Sequence, residues 1–365
     1  MTMATGIHIA GREIGPAVPP FVIAEMSGNH NQSLERALAL VDAAANAGAH
    51  ALKLQTYTAD TMTLDVDTED FLITADDNPW TGRRLYELYQ EAHTPWEWHQ
   101  PIIERAQRYG LIVFSTPFDE SAVDFLEGLD VPAYKIASFE NNHLPLIRKA
   151  AATGKPLIIS TGMAERNEIE AAVQAAREAG CRELVLLKCT SSYPAPAGDS
   201  HLATIPDLAK RFDCLSGLSD HTLGLAVPIA AVALGATVIE KHFTLDRSEG
   251  GVDADFSLEP EELRSLVTET ERAWQAIGEV HYGATPAERN ARAFRRSLYF
   301  ARDCAAGEVV TADDIRIIRP GHGLAPAALD QIIGMTLASD AHRGEAVQWQ
   351  HFNRDEAATA QKQRD

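Results

Sequence analysis

Through the first 280 residues, short runs that are apolar at every position alternate with stretches whose apolar residues recur every three or four positions. A strand apolar on both faces must be covered on both, the condition of a parallel strand flanked by helices. Such runs fall at Phe21–Ala24, Ala51–Leu54, Leu111–Ser115, Ala133–Ile136, Leu157–Ser160, Leu184–Lys188, Leu215–Ser219 and Thr237–Glu240. The pattern predicts an α/β chain folded as a (β/α)8 TIM barrel, an architecture of about 250 residues. The intervening helices carry their own punctuation. Ser33 is placed to cap a stripe of Leu34, Leu38, Val41 and Ala45 that ends at Gly48. A second stripe, Ile169–Ala179, closes at Gly180, and a long last helix over Glu259–Ile277 stops at Gly278. Ile7–Ile14, turning at Gly11, predicts a hairpin that plugs the barrel floor. Between the second and third strands, Thr56–His93 is a long insertion, the kind of loop that is either functional or disordered.

After Tyr282 the pattern changes. A barrel domain over 1–282 gives way to a polar linker, 283–294, containing Pro286. Short β-type runs at Ser297–Ala301, Ile315–Ile318 and Ala346–Trp349 then predict a small β-rich domain over 295–353, followed by a polar tail, 354–365. The nearly apolar stretch Leu223–Ile239 is broken by Gly224, Pro228 and Gly235 and falls short of the ~20 residues of a membrane span. It reads as a buried helix followed by a strand, so no membrane partner is expected. The formal charge of −20 argues against a nucleic-acid partner and means that any bound anion must be met by a few local cations. Four cysteines without a CxxC spacing, and an opening segment without the apolar core of a signal peptide, point to reduced thiols in a cytoplasmic protein.

Polar residues terminate nearly every expected strand: Glu25, Lys53 and Gln55, Thr116, Lys135 and Ser138, Ser160, Lys188, Ser219 and His221, Glu240 and His242. Taken singly, each could cap a turn or serve a core hydrogen bond. In a barrel these ends converge on one mouth, where active sites lie, and the whole set points to a single site. His221 and His242 would close neighbouring strands, so both imidazoles could reach one divalent metal such as Mn²⁺, Fe²⁺, Co²⁺ or Zn²⁺. Lys53 and Lys135 interrupt apolar strands, where an unpaired cation is costly and a bound phosphate or carboxylate would relieve it. Glu25, Glu140 and Asp253 are candidate carboxylates, the last beside a Gly250-Gly251 turn that allows close backbone approach. Neither a Walker motif nor a GxGxxG loop is present.

These residues stand in ordered motifs: Ile23-Ala24-Glu25, Lys53-Leu54-Gln55, Ser115-Thr116-Pro117-Phe118, Tyr134-Lys135-Ile136-Ala137-Ser138, Ser160-Thr161-Gly162-Met163, Gly217-Leu218-Ser219-Asp220-His221-Thr222 and Glu240-Lys241-His242-Phe243-Thr244. The set resembles the sialic acid synthase family over nearly the whole chain. Ile318-Arg319-Pro320-Gly321 is similar to the hallmark of that family's C-terminal antifreeze-like (SAF) domain. Glu25-Met26-Ser27-Gly28-Asn29-His30-Asn31, Leu54–Thr63 and Cys189-Thr190-Ser191-Ser192-Tyr193-Pro194 resemble most the members that form pseudaminic acid.

The resemblance implies a reaction. Phosphoenolpyruvate and water would condense with open-chain 2,4-diacetamido-2,4,6-trideoxy-L-altrose to give pseudaminic acid and phosphate by C–O cleavage. N-acetylneuraminate or legionaminate synthesis is the alternative, and a non-enzymatic carbohydrate-binding protein the distant one. It also implies roles. Lys53, Gln55, Thr116, Lys135, Ser138, Ser160 and Ser219 would hold phosphoenolpyruvate, with Ser191 standing where neuraminate-forming relatives have Asn. His221 and His242 would ligate a catalytic divalent metal, manganese first, with magnesium or cobalt as alternatives. Glu25, Glu140, Tyr193 and Asp253 would face the sugar, and Glu25, as a catalytic residue with His221 and His242, would also position or deprotonate the water that adds to C2. Arg319 would reach in from a partner subunit of a domain-swapped homodimer.

Overall fold

The computed structural model describes residues 6–74 and 80–353; the tail expected over 354–365 lies outside them. The chain divides into two compact units, Met1–Gly278 and Glu279–Asp365. In the first unit, strands β1 (Ile7–Ile9) and β2 (Arg12–Ile14) pair antiparallel. Eight parallel strands follow: β3 (Phe21–Glu25), β4 (Ala51–Thr56), β5 (Ile112–Pro117), β6 (Tyr134–Ile136), β7 (Leu157–Ser160), β8 (Leu184–Cys189), β9 (Leu215–Asp220) and β10 (Val238–His242). They close in the order β10-β3-β4-β5-β6-β7-β8-β9, so the expected barrel is present.

Alternation along each strand splits its residues between two environments. The outward set, including Val22, Ala24, Leu52, Leu54 and Ile239, packs against helices such as Leu34–Ala47 and Pro260–Ile277. The inward set begins apolar: Phe21, Ile23, Ala51, Phe114, Ala133, Ile158, Val185, Leu187, Leu215 and Val238 form one cluster with Ile7, Ile9 and Ile14. The hairpin therefore stoppers the N-terminal end with three isoleucines. Continuing upward at the same parity, the inward residues become Glu25, Lys53, Gln55, Thr116, Lys135, Ser160, Cys189, Ser219, Glu240 and His242. The barrel changes from oil to polar groups along its own axis. Its registers set the polar ends side by side, with His242 opposite Glu25 and Glu25 opposite Lys53.

Ser33 and Gly48 cap the first long helix as expected, the serine accepting from Arg36 N and the glycine adopting φ 88°. The insertion after β4 folds into short helices Ala59–Met62 and Leu85–Ala92. Two expectations need correction. Helix Ala226–Ala233 buries Pro228, Ala231 and Val232, yet Leu223 and Leu234 beside it are 67% and 42% exposed, because one side packs on the last long helix and the other faces outward. In the second unit, β11 (Ser297–Phe300) and β12 (Ile315–Ile318) pair antiparallel, but Ala346–Trp349 forms only a bridge from Ala346 to Tyr299. The chain there turns into a 3₁₀ helix at Trp349–His351, where His351 Nδ1 accepts from Gln348 N at 3.0 Å. This unit has its own core of Leu298, Phe300, Val310, Ile315, Ile332 and Phe352.

Candidate active site

The C-terminal mouth of the barrel holds a cavity of about 750 Å³. Lys53 and Lys135 stand on its floor, 3% and 2% exposed. Lys53 Nζ lies 2.5 Å from Glu25 Oε2, 3.0 Å from Thr116 Oγ1 and 3.8 Å from Glu240 Oε1. Lys135 Nζ donates to Ser160 Oγ at 2.6 Å and lies 3.6 Å from the same Glu240 oxygen, which also accepts from Ser219 Oγ at 3.1 Å. Glu25 Oε1 accepts from Gln55 Nε2 at 3.1 Å and Ser27 N at 3.2 Å.

Two buried ammoniums thus face two buried carboxylates, a balance that low-dielectric surroundings demand. The four groups are not equivalent. Burial opposes the charge on Lys53, but Glu240 and Glu25 outweigh it and raise its pKa. For Lys135 burial wins, helped by the like charge of Lys53, and the pKa falls despite Glu240. Burial raises Glu25, whereas at Glu240 the two lysines overcome burial and lower it. Lys135 is therefore the less compensated cation: Lys53 has Glu25 and Glu240 within 4 Å, whereas Lys135 has Glu240, which it shares with Lys53.

Ser138 Oγ, beside this floor, accepts from Gly162 N at 3.1 Å. A Cβ on Gly162 would stand 2.7 Å from Ser138 Oγ and would also collide with Ser191 Oγ. Glycine there lets the loop after β7 close on both hydroxyls.

The His221 and His242 rings lie 5.2 Å apart, centroid to centroid. His221 Nδ1 is 2.9 Å from the Thr190 carbonyl, a pure acceptor that places the proton on Nδ1 and frees Nε2 as a ligand. His242 is held well below the usual imidazole range by burial and then by His221, so it is neutral, and its buried Nδ1 has no hydrogen-bond partner. Asp253 Oδ2 is 3.6 Å from that nitrogen. A neutral, unpartnered imidazole, a second with Nε2 free and a nearby carboxylate suit a borderline divalent cation. No cluster of three or more such side chains at ligand spacing occurs among the described residues.

Around this core stand Asp253, which accepts from Ser27 Oγ, and Tyr193, whose ring is 4.6 Å from that of His221. Glu140 lies near the mouth, its carboxyl pushed up to about 7 by burial, with the lysines pulling the other way.

Lys53, Gln55, Lys135, Ser138, Glu140, Ser160, Ser191, Tyr193, Ser219, His221, His242 and Asp253 all line the one cavity. Glu25 and Thr116 are not among its lining residues; they hold Lys53 through the Glu25 ion pair and the Thr116 hydroxyl. Arg319 is an exposed residue of the second unit. Lys188 points away, its Nζ donating to Cys189 O at 2.7 Å. Sequence reasoning marked Glu240 only as a strand end and missed that it faces both lysines. It also missed Ser27, Cys189 and the apolar lining from the insertion, including Met62, Ile73, Trp80 and Leu88. Parity along β8 and large apolar residues inside a long loop were the available signals.

The signature of the NeuB family matches residues 40–282, and that of the SAF domain residues 295–353. The chain belongs to the NeuB family. The pseudaminic acid synthase of Campylobacter jejuni is 42% identical over 332 residues, covering 91% of this chain and 96% of its own length. The N,N'-diacetyllegionaminic acid synthase of Legionella pneumophila is 37% identical over 343 residues, covering 93% and 96%. Among solved structures, the N-acetylneuraminic acid synthetase of Leptospira borgpetersenii in complex with citrate is 34% identical with a TM-score of 0.70, covering 79% of this chain and 95% of that one. A NeuB-family barrel followed by a SAF domain is the architecture that the sequence motifs implied.

Proposed function

We propose that this chain is a pseudaminic acid synthase, condensing phosphoenolpyruvate and water with 2,4-diacetamido-2,4,6-trideoxy-L-altrose to give pseudaminic acid and phosphate. The observation that carries the reading is the pair of buried lysines, Lys135 the less compensated of the two, lining one cavity with the paired rings of His221 and His242. The closer likeness to pseudaminic than to legionaminic acid synthases, 42% against 37%, favours the subtype.

In this reading Lys53, Lys135, Gln55 and the hydroxyls of Ser138, Ser160, Ser191 and Ser219 hold the phosphate and carboxylate of phosphoenolpyruvate. Such preorganised donors count most where charge develops. Glu25 aims Lys53 and Gln55, and Thr116 aims Lys53. His221 and His242 would hold a divalent cation, manganese foremost, which when bound supplies Lewis-acid polarisation of the aldehyde oxygen. C3 of phosphoenolpyruvate bonds to the aldehyde carbon, its C2 becomes cationic, and water adds at C2. The hemiketal phosphate then breaks its C2–O bond, releasing phosphate and leaving the keto acid. Glu140, with a pKa of about 7, can exchange a proton with the new alkoxide near neutrality. Asp253 and Tyr193 orient sugar hydroxyls. The reading also carries a cytoplasmic homodimer in which Arg319 serves the partner's barrel.

Turnover in H₂¹⁸O tests it. Label is expected at C2 of the product and not in phosphate; label in phosphate, or no phosphate release with any 2,4-diacetamido sugar, rejects it.

A further inference from the structure

The cavity has two chemistries. Its floor is charged, but the wall built by the insertion after β4 is largely apolar: Met62, Ile73, Trp80, Leu85 and Leu88 line it, with Tyr57 and Tyr89 from the same insertion. The wall is fixed in place. Trp80 Nε1 donates to Val252 O at 2.8 Å, so the indole donor is engaged by the protein, and the Trp80 ring lies 5.6 Å from that of Tyr193. Ile73 N donates to Arg83 O at 3.0 Å, and Gly82 N to Ile73 O at 2.8 Å. The rings neighbour one another in a series, from His242 to His221 to Tyr193 to Trp80.

That series orients an open-chain aldose. Its C1 must meet C3 of phosphoenolpyruvate above the lysines, beside the histidines, so its far end extends toward the insertion. We propose that the wall formed by Ile73, Trp80, Leu85 and Leu88 determines sugar specificity, selecting aldoses whose distal end is a C6 methyl over those bearing a C6 hydroxyl. A hydroxyl placed there would lose its water and meet hydrocarbon, whereas a methyl gains by the same burial. The inference rests on the synthase reading above and names the surface that enforces it.

The test uses the full chain with Mn²⁺, phosphoenolpyruvate and two sugars differing by one oxygen, 2,4-diacetamido-2,4,6-trideoxy-L-altrose and its 6-hydroxy counterpart. Phosphate release gives kcat/KM for each. An apolar pocket discriminates at this scale by about 10- to 100-fold, and that preference for the 6-deoxy sugar is the expected result. Ile73→Ser and Trp80→Gln should each narrow it to less than about threefold, while the Kd for phosphoenolpyruvate measured without sugar stays as in the wild type. Equal turnover of the two sugars by the wild type overturns the inference alone. So does a preference that both variants retain. Phosphate release with neither sugar overturns the synthase reading and the inference together.

Discussion

Replacing Lys135 with methionine removes a charge and little volume, and the surroundings fix what should follow. Its side chain is 2% exposed, with Nζ 2.6 Å from Ser160 Oγ and 3.6 Å from Glu240 Oε1. An anion on this floor would lose one charge-assisted hydrogen bond, worth about 1.5–3 kcal/mol, or roughly 10- to 150-fold in Kd. A second effect acts in the same direction. With Lys135 gone, Glu25 and Glu240 face Lys53 alone, so an arriving anion meets uncompensated negative charge. The loss should therefore lie in the upper half of that range. Titration calorimetry with phosphoenolpyruvate and no sugar reads it directly, and steady-state kinetics should show the KM for phosphoenolpyruvate rising with little change in that for sugar. Lys188→Met is the matched control: it makes the same charge change on the next strand but one, with its side chain turned away from the cavity. Its Kd should stay within about twofold of wild type. Calorimetry that gave Lys135→Met wild-type affinity, or gave both variants the same loss, would refute the assignment of this floor to phosphoenolpyruvate.

Three further outcomes can be checked independently. Because burial raises the Glu140 carboxyl from 4.5 to about 7, the folded state binds its proton more tightly than the unfolded chain, and the associated stability is lost as pH climbs across that interval. Glu140→Gln should flatten the pH dependence of the thermal midpoint there and abolish an ionisation near 7 in the kcat/KM profile for sugar. Gly162→Ala, whose methyl would press on Ser138 Oγ and Ser191 Oγ, should weaken phosphoenolpyruvate by about tenfold in calorimetry with little change in the urea midpoint. Lys241 Nζ, fully buried, is 2.7 Å from Asp220 Oδ2 and 2.6 Å from Thr222 O, so Lys241→Met should cost about 3–5 kcal/mol in urea unfolding, and adding Asp220→Asn should recover part of it.

The eight barrel strands were legible because burial on both faces leaves each as an unbroken apolar run. Their ends were not. Strands β3, β4, β5, β8, β9 and β10 run one or two residues further than the apolar runs, taking in Glu25, Gln55, Thr116, Cys189, Asp220 and His242. Glu25, Gln55, Thr116, Cys189 and His242 lie on the inward face, which turns polar where the cavity begins, whereas Asp220 faces outward and pairs with Lys241. The misplaced boundary and the functional site are one physical fact. What pattern could not show is pairing across distance. Glu240 meets Lys53 and Lys135, which come from strands far earlier in the chain, and only closure of the barrel brings the three together. The apolar wall escaped for another reason: Met62, Ile73, Trp80 and Leu88 have no common period, so nothing in their spacing assigns them to one surface.

Polarity at a strand end is also a weaker guide than the count of positions leading to it. Along β8, Leu184, Leu186 and Lys188 share the outward face, while Val185, Leu187 and Cys189 share the inward one. The lysine, chemically the more conspicuous, turns out of the cavity, and the cysteine lines it. On β10 the same count sends Glu240 and His242 inward and leaves Lys241 to bind Asp220. Side chains alternate without regard to their chemistry. An inward apolar residue near the floor, such as Phe21, Ala51, Phe114, Ile158 or Val238, therefore identifies which polar residues above it can reach a ligand. By that count Lys53 and Lys135 belong to the cavity and Lys188 does not, which is why the two methionine substitutions should part company in the calorimeter.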